Sequence, residues 1–312
     1  MSRQVFPDAL KAFLVCMVVV GHTIGLAYKG QMEDYWNNPL ITIIYSFHIP
    51  LFISISGYFL GKSNIDIKSQ IKKKIQRLGI PILSIGLIYM LVMLAYDYSN
   101  INSIKLLYNS LTFYWFFDCL LILSLFCIIS EMKGERYGLI IQLTTLAVLF
   151  VVYPVLPSIF RKLQIVRLLP IFLMSLYIGK YSNVIVPLFS RYKRFVLMLS
   201  TFIWGIIIAF YGGGNLLEYS LYARIIVGIF SSLTVLCVFS YVYQFIPSKI
   251  TEKGGKNCMG IYIIHAPIFL NLPRIDSPLL IMLITILLIL TSSVITDMIR
   301  KTFLKQYILG EA

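Results

Sequence analysis

Apolar stretches about as long as a bilayer is thick follow one another through this chain, and that pattern leaves it little choice of fold. A membrane span needs roughly 20 predominantly apolar residues. Ten segments approach that description: 9–28, 40–61, 78–96, 112–130, 138–153, 166–181, 195–211, 222–245, 258–272 and 278–299. Hydrocarbon offers the backbone no hydrogen bonds, so segments of this length and polarity cross as helices. The expected fold is all-α, a polytopic membrane helix bundle of about ten transmembrane helices. The connections are brief, so residues 1–312 read as a single transmembrane domain. The fifth, sixth and ninth segments are short, and their ends are the least defined. A cleavable signal peptide is not expected, because the first apolar run carries Asp8, Lys11 and His22 and lacks a small-residue cleavage site.

A formal net charge of +14 could suggest a nucleic-acid partner, but its distribution argues against one. With a cytoplasmic N-terminus and ten spans, most of the 27 Lys and Arg residues fall on the cytoplasmic side, as the positive-inside rule requires. Lys62, Lys68, Lys72, Lys73, Lys74 and Arg77 share one loop there. Arg191, Lys193 and Arg194 lie in another, Lys249, Lys253 and Lys256 in a third, and Arg300, Lys301 and Lys305 in the tail. Arg161, Lys162 and Arg167 are exceptions on the outer side. The expectation is cytoplasmic N- and C-termini, a lipid bilayer as partner and no nucleic acid. Cys16, Cys119, Cys127, Cys237 and Cys258 lie in or beside apolar runs without ligand spacing, so they read as free thiols rather than disulfides or a metal site.

Ionisable side chains at bilayer depth are costly and usually mark a substrate or proton site. All three histidines, His22, His48 and His265, lie inside apolar runs. Lys11 and His22 are eleven residues apart, about 16 Å along a helix and close to three turns, so both project from one face. Asp8, one turn before Lys11, can pair with it. A snorkelling lysine, a capping aspartate and a packed histidine would be the plain explanation; Lys11 fits it, and a histidine so far into the span does not. His48 sits on the second, oppositely directed segment, where antiparallel packing would bring it to the depth of His22. Pro50 frees a carbonyl within that span, which a neighbouring helix or a cavity must satisfy. Ser54, Ser56 and Gly57 are small enough for close helix packing.

Lys74 and Arg77, one turn apart, have two readings that composition leaves even. They fix topology beside anionic lipid, or they hold a phosphorylated ligand. Arg167 and Arg224 are embedded charges that can also snorkel to the outer interface. Tyr262 and His265, one turn apart on the ninth segment, suit either core packing or the lining of a polar tunnel.

The same residues carry a family resemblance. In order they are Asp8, Lys11-x10-His22, Tyr45-Ser46-Phe47-His48-Ile49-Pro50-Leu51-Phe52, Ser56-Gly57-Tyr58-Phe59, Lys74-x-x-Arg77, Tyr114-Trp115-Phe116-Phe117 and Ile261-Tyr262-Ile263-Ile264-His265. Together they resemble the acyltransferase-3 family of integral membrane acyltransferases, and particularly its fucose 4-O-acetylase-like branch. That resemblance implies acyl transfer from a cytoplasmic acyl-CoA to a hydroxyl of a cell-surface glycan, glycolipid or sugar precursor in a bacterial plasma membrane. The donor it implies is acetyl-CoA, with no metal.

Residue by residue, the resemblance implies His22 as general base or transient acyl carrier, with His48, Lys11 and Asp8 as its catalytic companions. Lys11, Lys74 and Arg77 would meet the donor's phosphates, although lysine at two of the family's arginine positions loses the bidentate fork. Trp115, Asp118, Arg167, Arg224, Tyr262 and His265 would line the acceptor's approach. Asp118 replaces the apolar residue usual after the Trp-Phe pair. Buried His, Asp and Arg would also suit a proton-coupled transporter or an exporter of a glycan precursor. No inverted repeat, which many carriers show, is visible. A non-catalytic scaffold leaves the deep charges unexplained.

Overall fold

The computed structural model describes residues 5–63, 66–96, 109, 114–156, 164–211 and 213–311. Arg161 and Lys162 lie outside the described residues, as does most of the connections 97–111 and 154–165. Among the described residues the regular structure is helical. The elements are α1 (Val5–Ile24), α2 (Met32–Asn37), α3 (Pro39–Gly61), α4 (Ile67–Lys74), α5 (Ile80–Tyr96), α6 (Trp115–Ser130), α7 (Glu135–Val152), α8 (Ile165–Lys180), α9 (Ser182–Phe210), α10 (Leu221–Val242), α11 (Ser248–Leu270), α12 (Pro278–Arg300) and α13 (Lys305–Ile308).

Each of the ten apolar segments falls on one of these helices. Among the described residues, eight helical stretches are long and apolar enough to cross a membrane, so the chain is a polytopic helical membrane protein. The other two segments differ for physical reasons. Helix α8 has only 16 residues. Helix α11 has 23 residues, but its first half carries Lys249, Glu252, Lys253 and Lys256. Two basic stretches expected as loops are helical instead: α9 begins at Ser182, ahead of Arg191, Lys193 and Arg194, and Lys68 to Lys74 form α4. Long basic side chains can keep their charge in water while their stems continue a helix, so charge alone is a poor marker of a helix end.

The chain divides into two compact units, one comprising Met1–Lys62 with Met174–Asp297, the other Ser63–Leu173 with Met298–Ala312. In the first unit α1 packs most extensively on α11. Glycines permit that approach. A Cβ on Gly255 would lie 2.6 Å from the Asp8 Cβ, and one on Gly254 would lie 2.7 Å from the Ala12 Cβ. Ala9, Leu10, Leu14, Phe47, Leu51 and Phe239 form one apolar cluster on α1, α3 and α10. Val15, Val19, Ile261 and Leu288 form another on α1, α11 and α12. Pro50 has no N–H, so the Ser46 carbonyl one turn earlier loses its helical donor. The Ser231 hydroxyl of α10 replaces it, donating to that carbonyl at 2.9 Å.

In the second unit, Asp66 caps α4 by accepting the Ser69 N–H at 3.0 Å, which holds its carboxyl below the usual carboxylate range. A π turn at Ile75–Gly79 joins α4 to α5 and contains Arg77. Such turns are rare and occur frequently at functional sites. The C-terminal segment packs on this region. Arg300 donates Nε and Nη2 to the Glu311 carboxylate at 2.7 and 2.8 Å, the Ser84 hydroxyl donates to the Tyr307 carbonyl, and Gly310 lies against the Arg77 backbone.

Candidate active site

His22 ends α1, and its partner comes from the other end of the sequence. The close α1–α11 contact brings His22 Nδ1 within 2.9 Å of His265 Nε2. His265 Nδ1 in turn lies 2.8 Å from the Ile261 carbonyl. A carbonyl can only accept, so the network fixes the protons. His265 donates Nδ1–H to Ile261, its Nε2 accepts, and His22 donates Nδ1–H to it. His22 Nε2 is then the unprotonated nitrogen, with a lone pair available as base or nucleophile. The two rings are nearly parallel, with centroids 5.1 Å apart and 23° between planes, and the Phe269 ring lies 5.6 Å from His22. Tyr262 meets His265 edge-on at 6.0 Å. His265, expected along the acceptor's path, is the ring hydrogen-bonded to His22.

His48 is buried on α3 and donates Nδ1–H to the Ile44 carbonyl at 2.6 Å. Its ring stands edge-on to Tyr45, with centroids 4.7 Å apart. Two residues given no role in the sequence reading complete this end. The Tyr35 hydroxyl, on the short helix α2, donates to the Gly21 carbonyl at 3.1 Å and lies 3.0 Å from the Tyr45 hydroxyl. One hydroxyl has one proton, so Tyr45 donates to Tyr35 when Tyr35 donates to Gly21. The Tyr45 ring also packs on Gly21, where an added Cβ would lie 3.1 Å from it. These tyrosines brace the backbone immediately before His22. Tyr45 lies within the quoted family motif; Tyr35 lies in a short polar helix with no chemical signature.

Asp8 and Lys11 pair as their spacing predicts, with Lys11 Nζ 3.4 Å from Asp8 Oδ1. Asp8 is buried, and the Lys11 ammonium also sits 5.5 Å from the centroid of the Phe59 ring. Cys258 Sγ lies 3.6 Å from the Lys11 carbonyl, a second tie between α1 and α11.

Lys74, Arg77, Trp115, Asp118 and Arg167 belong to the second unit. Lys74 is half-buried at the end of α4, and Arg77 is exposed within the π turn. Trp115 and Asp118 lie in the first turn of α6, and Asp118 Oδ2 is buried without a hydrogen-bond donor among the described residues. Arg167 is buried in α8 and donates Nη1 to Gln164 Oε1 at 2.8 Å. Gln164 adopts φ 53°, a left-handed conformation uncommon outside glycine. Arg224, half-buried, lies in the first turn of α10, which Ser220 caps by accepting the Ala223 N–H at 3.2 Å.

The chain is similar to known proteins at two scales. Nodulation protein NolL of Sinorhizobium fredii is 39% identical over 57 residues, 18% of this chain and 16% of that one. Nodulation protein NolL of Mesorhizobium japonicum is 40% identical over 58 residues, 18% of this chain and 15% of that one. The chain thus matches about a sixth of the length of these curated relatives. No solved structure matches it. The acyltransferase-3 family, described as an acyltransferase domain, matches residues 4–298. That match runs from the first turn of α1 to the end of α12 and takes in both paired histidines, so the chain belongs to the acyltransferase-3 family.

Proposed function

We propose that the protein is a bacterial plasma-membrane O-acetyltransferase of the fucose 4-O-acetylase-like branch, residues 1–312 acting as one domain. It moves an acetyl group from cytoplasmic acetyl-CoA to a hydroxyl of a cell-surface polysaccharide or its sugar precursor. The observation that carries the proposal is the hydrogen-bonded series His22, His265, Ile261 carbonyl. It leaves His22 Nε2 as an oriented base, and a base held by a second group is what acyl transfer to a hydroxyl needs.

In this reading the acceptor hydroxyl gives its proton to His22 Nε2 while its oxygen attacks the thioester carbonyl. The carbon–sulfur bond breaks, and the imidazolium proton passes to the departing thiolate. His265 is a positioning residue that fixes the tautomer of His22. Base catalysis of this kind typically contributes about 10²–10⁴-fold. On the donor side, Lys74 and Arg77 are assigned phosphate contacts, and Lys11, oriented by Asp8, is assigned one separately. Acceptor contacts are assigned to Trp115, Asp118 and Arg167 in the second unit and, separately, to Arg224 and Tyr262 in the first, with His48 beside the reacting hydroxyl.

The test is transfer of label from labelled acetyl-CoA by the purified chain to surface glycan from cells that lack the protein. Label in the glycan with release of free CoA is the expected result. Counterflow of a glycan precursor without CoA release would make the protein a carrier and remove the acetyltransferase reading.

A further inference from the structure

A helix leaves its last four carbonyls without intrahelical donors, and at the end of α11 each has found one. Asn271 Nδ2 donates to the Pro267 carbonyl at 2.8 Å. The Asn271 N–H donates to Ile268 at 3.2 Å and the Leu272 N–H to Phe269 at 3.1 Å. Those three donors are local. The fourth carbonyl, Leu270, accepts from the ammonium of Lys29 at 3.2 Å, and the Leu272 carbonyl just beyond accepts from the same group. Lys29 belongs to the turns that follow α1, far away in the sequence. An ammonium at a helix C-terminus satisfies its carbonyls and complements its dipole.

The turns after α1 carry a second tie. Leu26 is fully buried, and its carbonyl accepts the Ile275 N–H at 3.2 Å. Leu26 and Lys29 follow closely on His22, and Leu270 follows closely on His265. The two histidine-bearing helices are therefore fastened to each other just past the pair. On the opposite side of the pair, Gly254 and Gly255 let α11 touch α1, and Cys258 meets the Lys11 carbonyl. Pro267 makes the fastening beyond the pair necessary. It stands two residues after His265 and has no N–H, so the Ile263 carbonyl loses its helical donor, and the proline ring crowds that carbonyl. The last turn of α11, which contains Phe269, is thus held in part from outside its own helix.

We infer that Lys29 is a positioning residue for the histidine pair. By clamping the Leu270 and Leu272 carbonyls to the turns after α1, it keeps His265 Nε2 where His22 Nδ1 can donate to it. Lys29 itself does no chemistry. Without the clamp, the end of α11 frays back through Pro267 to His265, and the 2.9 Å bond of the pair lengthens. His22 is then free to carry its proton on Nε2, the nitrogen that a base needs bare. The effect on rate rests on His22 acting as the base, as proposed above; the effect on the pair does not.

The test uses the full-length protein in detergent with its three histidines labelled with ¹⁵N. In the wild type, His22 should show a protonated Nδ1 and a bare Nε2. In Lys29→Met it should show both tautomers. Loss of one charged hydrogen bond shifts such an equilibrium about tenfold or more, so kcat should fall about tenfold while KM for acetyl-CoA stays unchanged. Lys29→Arg, which keeps a charged donor, should restore most of both. Asn271→Leu is the control: it removes an exposed local donor from the same helix end without touching α1, and should leave tautomer and kcat as in the wild type. An unchanged His22 tautomer in folded Lys29→Met, or equal effects from Lys29→Met and Asn271→Leu, would overturn the inference. Mixed tautomers with wild-type kcat would sustain the clamp and overturn the role of His22 as base instead. Should Lys29→Met fail to fold, Lys29→Gln, uncharged and one bond shorter, is read in its place by the same criteria.

Discussion

His265 is the residue whose replacement most sharply distinguishes a catalytic pair from two packed histidines. His265→Ala removes the acceptor that lies 2.9 Å from His22 Nδ1. The His22 N–H is then left without its partner in an apolar setting, beside Phe269. An unsatisfied donor of that kind costs about 1–3 kcal/mol. If His22 must pay that cost to keep Nε2 unprotonated and aimed, the rate falls about 5- to 150-fold. The donor's KM should not change, because His265 is assigned no contact with CoA. His265→Gln is the informative companion, since its side-chain oxygen can accept from His22 Nδ1 and should restore most of the rate. The assay is initial-rate acetyl transfer at saturating donor, with thermal unfolding of each variant as control. A purely structural histidine would show loss of stability in both variants and no selective rescue by glutamine. Wild-type kcat in a well-folded His265→Ala protein would refute the tautomer argument outright.

Three further outcomes are expected. Lys74→Ala with Arg77→Ala should raise KM for acetyl-CoA about tenfold or more while kcat falls less, because charge-assisted phosphate contacts are about twice as strong as neutral ones. Lys68→Ala with Lys72→Ala removes the same charge, and an equal effect on KM would mean that net loop charge alone matters. Ser231→Ala should destabilise the protein by about 1–3 kcal/mol by orphaning the buried Ser46 carbonyl, whereas Pro50→Ala with Ser231→Ala should recover part of that loss by restoring the helical donor; a neutral Ser231→Ala in thermal unfolding would contradict it. Single cysteines at Asn38 and Asn215, in a background without native cysteines, should react with an impermeant thiol reagent in intact cells, and one at Ser69 only after lysis. Labelling of Ser69 from outside would reverse the proposed sidedness.

The helices and the α1 end of the candidate site were legible because both rest on local spacing. Apolar runs of bilayer length mark each span, and the three-residue step from Asp8 to Lys11 places their charges together on any helix. The histidine pair was not legible, because His22 and His265 are 243 residues apart and meet only where Gly254 and Gly255 let α11 touch α1. The sequence placed His48 at the depth of His22 as a catalytic companion and His265 on the acceptor's approach, and nothing in the spacing linked His265 to His22. Pro50 signalled an orphaned carbonyl, but which helix would satisfy it depended on the packing of α10, and a lone Ser231 in an apolar run gives no such sign. The basic stretches misled in the opposite direction: Lys68 to Lys74 and Arg191 to Arg194 read as loops and are helix, capped in the first case by Asp66.

Single-turnover transfer by His22→Ala asks whether the His22 imidazole carries the chemistry. The variant would be loaded with labelled acetyl-CoA, mixed with acceptor glycan and quenched at short times beside the wild type. Donor binding should be retained, since the phosphate contacts are assigned elsewhere, and no label should reach the glycan on the wild-type time scale. Label transferred at near the wild-type rate by a correctly inserted His22→Ala protein would remove His22 from the mechanism, and with it the role proposed for His265.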